Sequence, residues 1–195
     1  VPRTADHDAR RAQITDGLVR VAERDGLHAV TLRSVAAEAG VSLRLVQYYF
    51  ESKAQLMNAA LERLERLGRE RWAARLAALP EPSARAYVEA LLAEALPADP
   101  EGRAHQQVWT SYAVLSLTEP SLAARPFVDG PERLERQIAA ALDGAIPAGA
   151  DPGTEAARLL ALAHGLGTSI LVGRRSPASA MEILRYHLDD LFGRC

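Results

Sequence analysis

The stretch TLRSVAAEAGVSLRLVQYYF, Thr31 to Phe50, sets a Gly-Val-Ser bend between two runs that are each only about two turns of helix long. In the first run Leu32, Val35, Ala36 and Ala39 recur at helical spacing. Thr31 has the chemistry of an N-cap, and Gly40 suits the position past a helix end where φ turns positive. Ser42 then caps a second short helix, expected to run to about Phe50. Two short helices joined by a tight bend predict a helix-turn-helix. Such a helix can bury one side only. Val41, Val46 and Phe50 are placed to pack inward against Leu18, Leu32 and Val35, which leaves Leu43, Arg44, Gln47 and Tyr48 facing outward. An outward amide and guanidinium match base edges in a DNA groove: Gln pairs with adenine and Arg with guanine, each worth about 1–3 kcal/mol of discrimination. Ser and Tyr hydroxyls and Lys amines suit phosphate oxygens, which set register.

The rest of the chain reads as helix throughout. A first helix is expected over Asp8 to Asp25, ended by Gly26, and a long fourth helix from Ser52 until Pro80 and Pro82. A fifth is expected over Ser83 to Leu96 and a sixth over Gly102 to Leu117. Pro120, Pro126 and Pro131 interrupt the region before a seventh, from Pro131 to Leu142. Asp151-Pro152 and Ser176-Pro177 open an eighth and a ninth. Strand-like alternation is absent from the pattern, so the fold class is all-α.

The chain has 195 residues and a formal net charge of −2, which excludes a uniformly basic surface but not a local patch. Residues 1–53 carry eight Arg or Lys against seven Asp or Glu. The one lysine, Lys53, falls at the start of the fourth helix, where amine and helix N-terminus together attract a phosphate. The single cysteine, Cys195, forms no internal disulfide, so a reducing cytoplasm is the expected location. The polar start VPRTADHDARR is not expected to be a signal peptide. The longest apolar run, Leu159 to Gly173, falls short of the roughly 20 residues a membrane span needs, so no membrane partner is expected.

The segment TLRSVAAEAGVSLRLVQYYFESKAQLMNAAL resembles the DNA-binding domain of the TetR family of bacterial transcriptional regulators. The likeness covers about 50 residues, Arg10 to Leu61, and rests on Thr31, the Ala-Gly-Val-Ser bend, Tyr49-Phe50 and Ser52-Lys53. It implies that Arg33 reaches a base from the second helix. It further implies that Leu43, Arg44, Leu45, Gln47 and Tyr48 face the major groove, while Thr31, Tyr49 and Lys53 meet phosphates; Ser42 is a further DNA-binding candidate. Leu43 and Arg44 stand where small residues and Lys are common in the family, and Gln47 replaces its usual Tyr. These changes point to contact with a thymine methyl and to adenine readout.

The resemblance implies an N-terminal three-helix DNA-binding domain, residues 1–53, joined by helix 4 to a helical ligand-binding and dimerisation domain, residues 54–195. The last two helices support dimerisation on their own pattern. The eighth is apolar on nearly every side from Ala156 to Val172, and a helix of that kind needs partners on more than one side. Ala163, Gly167 and Ile170, with Ile183, Leu184, His187 and Leu191 of the ninth, are the candidate interface; completion of a monomeric core is the other reading. In the sixth helix His105, Trp109, Tyr112 and Ser116 share one face, as an effector pocket wall or as plain core. Phe127 is a lid or a plug. His164 faces pocket or interface, or is a satisfied buried histidine.

The sequence contains no HExxH, no GxxxxGK loop and no GxSxG elbow, and its GxG lies inside a helical pattern, so an enzyme is not expected, nor any cofactor or metal. The expected function is a homodimeric repressor, released from a palindromic double-stranded DNA operator by an unknown small-molecule effector. An activator, a repressor whose ligand promotes DNA binding, and a helical small-molecule or partner-binding protein without operator binding stay open.

Overall fold

The computed structural model describes residues 2–78, 83–118 and 125–193, with side chains for 6–78, 83–114, 116–117 and 130–193. Among the described residues it is entirely helical: α1 (Pro2–Asp25), a 3-10 turn (Leu27–Ala29), α2 (Leu32–Glu38), α3 (Leu43–Tyr49), α4 (Lys53–Ala77), α5 (Ala84–Glu94), α6 (Pro100–Thr118), α7 (Arg125–Leu142), α8 (Pro152–Leu171) and α9 (Pro177–Gly193). The expected boundaries hold to within about two residues for most of these. α1 starts six residues earlier, at Pro2, and α7 starts six residues earlier, at Arg125. Pro126 sits in the first turn of α7, where its missing N–H costs nothing, and Pro131 is carried inside the helix. Ile138 and Leu142, both fully buried, anchor the helix beyond it. Pro120 lies outside the described residues.

The chain divides into two compact units. The first takes residues 1–66 and 107–127; the second takes 67–106 and 128–195. These units do not coincide with the 53/54 division expected from the sequence. The first core gathers Ile14, Leu18 and Val21 of α1, Val35 of α2, Val46 of α3 and Phe50, and continues with Leu56, Met57, Ala60 and Leu61 of α4 and Val108 and Tyr112 of α6. Each such aliphatic side chain contributes about 1.5–3 kcal/mol by leaving water. A charged pair joins two of these helices, with Arg63 of α4 donating to both carboxylate oxygens of Asp16 on α1 at 2.5 and 2.9 Å.

In the second unit α5, α8 and α9 pack together, with α7 closing the core. Val88 and Leu92, Leu159, Leu160, Ala163, Leu166 and Ile170, and Leu184, Leu188 and Leu191 meet there. Arg85 of α5 pairs with Asp189 of α9, and Arg185 of α9 returns to Glu89 of α5 at 2.8 Å. No helix among the described residues is long and apolar enough to cross a membrane.

Candidate nucleic-acid interface

The bend forms as its residue types require. Thr31 accepts a hydrogen bond from the Ser34 N–H at 3.0 Å, and Ser34 Oγ accepts from the Thr31 N–H at 2.9 Å, a reciprocal cap for α2. Gly40 takes φ 65°, a left-handed conformation that costs other residues energy. The Val41 N–H then returns to the Ala36 carbonyl at 3.0 Å, and Ser42 Oγ caps α3 through the Leu45 N–H at 3.1 Å. Ser52 Oγ accepts from the Gln55 N–H at 3.2 Å and caps α4 beside Lys53.

Side chains of α1 close the carboxyl end of α2. Gln13 donates to the Ala39 carbonyl at 2.8 Å, and Arg20 and Arg24 both bond the Glu38 carboxylate, at 2.9 and 2.7 Å. Hydrogen bonds from Arg24, then Arg20, hold that carboxyl below its ordinary pKa. This sorts the basic residues of the first unit. Arg20, Arg24 and Arg63 are committed to carboxylates. Among the described residues nothing pairs with Arg33, Arg44, Gln47 or Lys53.

Arg33, Arg44, Gln47 and Tyr48 are exposed, as are Thr31 and Ser42 at the two caps. Tyr48 is 74% exposed, a large ring with little of its own protein to cover it. Lys53 and Leu45 are half-buried. Leu43 is a correction to its expected outward position: it is half-buried and packs against the first core, as does Tyr49. Gly17 and the α1 residues His7 and Arg11, which touch the end of α3, were not singled out by sequence reasoning. Nothing in periodicity marks a glycine as a helix-crossing point, though a glycine inside a helix is itself a signal of close approach.

The proposed effector residues fall on both units. His105 belongs to the second; Trp109, Tyr112 and Ser116 of the same helix belong to the first. Tyr112, expected as pocket wall or as plain core, packs in the first core. It is fully buried, and its hydroxyl donates to Asn58 Oδ1 at 2.5 Å, so the core takes it up. The Ser116 hydroxyl donates to the Ala113 carbonyl at 2.8 Å, and Trp109 is half-buried. Burial first, and the Arg71 charge second, push the His105 imidazole down to about 4; burial alone lowers His164. The side chain of Phe127 lies outside the described residues.

The expected interface needs a larger correction. Ala163, Ile170, Leu184 and Leu191 are buried in the second unit's own core. A Cβ on Gly167 would meet the Gln106 amide at 3.2 Å, so that glycine too faces inward. A helix apolar all round shows one face to its own domain, and sequence spacing cannot say which. The exposed side of α8 is instead Ala157, Arg158, Ala161, Gly165 and Thr168, with Val172 exposed at its C-cap, while Ile183 and His187 of α9 stay half-buried. A groove of about 250 Å³ runs between the two helices, lined by Arg158, Leu162, His187 and Asp190 among others.

Two family models match this chain: bacterial regulatory proteins of the tetR family over residues 14–60, and the C-terminal region of BetI-type transcriptional repressors over residues 82–193. The chain belongs to the TetR family. Members are transcriptional regulators rather than enzymes. The HTH-type transcriptional regulator BetI of Escherichia coli is 26% identical over 122 residues, 63% of this chain and 63% of BetI, so the match spans less than two thirds of that relative. A transcriptional regulator from Rhodococcus sp. Rha1 is 26% identical, with a TM-score of 0.81 over 94% of this chain and 96% of its own. A regulator from Saccharomonospora viridis, solved in complex with choline, is 28% identical with a TM-score of 0.79 over 96% of this chain and 97% of its own. Both structures share the helical architecture described above.

Proposed function

We propose that this TetR-family regulator is a homodimeric repressor, held on a palindromic operator by its two α3 helices and released by a small organic cation. The observation that carries the DNA reading is the pairing pattern: Arg33, Arg44, Gln47 and Lys53 have no partner among the described residues, while neighbouring arginines of the same unit do. In this reading Arg44 and Gln47 read base edges with Arg33 and Tyr48 beside them. Leu45 and the accessible edge of Leu43 meet the groove wall, and Thr31, Ser42, Tyr49 and Lys53 hold phosphates. Two such helices on one duplex stand about 34–36 Å apart, or a multiple of that.

For the dimer, the corrected face of α8 supports close helix packing: Ala161, Gly165 and Val172 are small or apolar and exposed, and His187 lines a groove with Ala161. For the effector, the choline complex of the Saccharomonospora viridis regulator makes choline the first compound to test. In the second unit Trp72 and Tyr87 stand edge to face, ring centroids 5.4 Å apart, and ring faces attract quaternary ammonium groups. Within the second unit His105 and His164 stay in the effector set. Release requires that the ligand bind the DNA-incompetent state more tightly than the competent one, transmitted by α4, which is common to both units. A cytoplasmic location fits this role.

DNase footprinting on DNA flanking the protein's own gene, with and without choline, tests the reading. Protection of a palindrome that is lost in Arg44→Ala and Gln47→Ala supports it; no protected DNA at any salt concentration sinks it. Protection unchanged by choline removes the effector assignment alone.

A further inference from the structure

His7 and Arg11 lie one turn apart on α1, on the same face, and both reach the carboxyl end of α3. The His7 ring sits 4.7 Å from the Tyr49 ring. Arg11 donates to the Tyr49 carbonyl at 3.3 Å and places its guanidinium 4.7 Å over the Phe50 ring. Tyr49 in turn meets Tyr48 edge to face at 5.2 Å. The contacts form a row, His7 to Tyr49 to Tyr48, that ends on the exposed ring of the helix.

We propose that His7 is a positioning residue for DNA binding: its ring fixes Tyr49, and through Tyr49 it holds Tyr48 in the conformation that meets the duplex. The inference rests on the DNA-binding reading above. An exposed tyrosine loses rotamer freedom when it is held against a ligand. A ring already steadied by an edge-to-face neighbour has lost part of that freedom beforehand, so the complex forms at lower cost. His7 itself touches no base in this account; it acts through the ring stack, and a phenyl ring at position 7 serves as well.

Fluorescence anisotropy with a labelled duplex, taken from the footprinted region, tests this in wild type, His7→Ala, His7→Phe, Tyr48→Ala and the His7→Ala/Tyr48→Ala double variant. Thermal melting of each variant confirms folding. His7→Ala is expected to weaken binding roughly 2- to 10-fold, the range of one aromatic pair, with the slope of affinity against salt unchanged. His7→Phe is expected to restore it, and in the Tyr48→Ala background His7→Ala is expected to change nothing. Equal binding by wild type and His7→Ala overturns the proposal while leaving the DNA reading intact. An undiminished effect of His7→Ala without Tyr48, or a shallower salt slope, also overturns it, since either marks a direct phosphate contact. A wild-type protein that binds no duplex overturns both readings.

Discussion

Gly17 of α1 and Ala39 at the end of α2 lie so close that a Cβ on Gly17 would sit 2.9 Å from the Ala39 Cβ and 3.2 Å from its nitrogen. The first helix therefore rests directly on the backbone that leads into the Gly40 bend. Gly17→Ala gains up to about 1 kcal/mol of helix propensity but must displace backbone, an overpacking cost of typically 1–3 kcal/mol. A net loss of about 1–2 kcal/mol in urea unfolding is expected, with weaker DNA binding as the bend shifts. An unchanged midpoint would mean the two helices part freely.

Lys53→Ala is expected to weaken binding to every duplex alike and to reduce the slope of log affinity against log salt by about one unit, because one phosphate contact is removed. Anisotropy titrations at several salt concentrations read this directly. A changed base preference would show that Lys53 reads sequence instead.

Tyr112→Phe removes a buried hydroxyl that donates to Asn58 across α6 and α4. Loss of about 1–2 kcal/mol is expected, since the Asn58 oxygen is left short of a donor. Effector response, measured as the choline concentration that halves DNA binding, is expected to stay the same for a core residue. A shifted response would return Tyr112 to the pocket wall.

His105 is held at about 4 in the folded chain, against 6.5 when free. Between those values the unfolded chain binds the proton and the folded chain does not, so stability is full above pH 6.5 and declines as pH falls, levelling off below about 4. The full loss amounts to about 3 kcal/mol. Chemical denaturation from pH 7.5 to 4 should show this decline, and His105→Gln should flatten it. An identical pH profile in both proteins would rule His105 out as its source.

Ala161 and Ala163 sit two residues apart on α8, the first exposed and the second fully buried. A carboxylate at the buried site is left unpaired in the core, at a cost of several kcal/mol, so Ala163→Glu is expected to unfold. Ala161→Glu is expected to fold and to sediment as a monomer. A folded dimer from Ala161→Glu would move the partner face elsewhere.

Caps, bends and helix identities were open to reading residue by residue, because Thr31, Gly40, Ser42, Asp151 and the Ser-Pro start of α9 act over a few positions of chain. The outward set Arg44, Gln47 and Tyr48 followed from the same short-range logic, with Val46 fixing which side of α3 turns in. Which face of α8 turns inward did not follow, since apolar residues all round leave the helical period without a phase; contact with α5 and α9 supplies it. Burial of Tyr112, the inward lean of Leu43 and the crossing at Gly17 were likewise settled by neighbours far away in sequence. Local chemistry is written along the chain; the orientation of a uniformly apolar surface is a property of packing, and only the folded molecule chooses it.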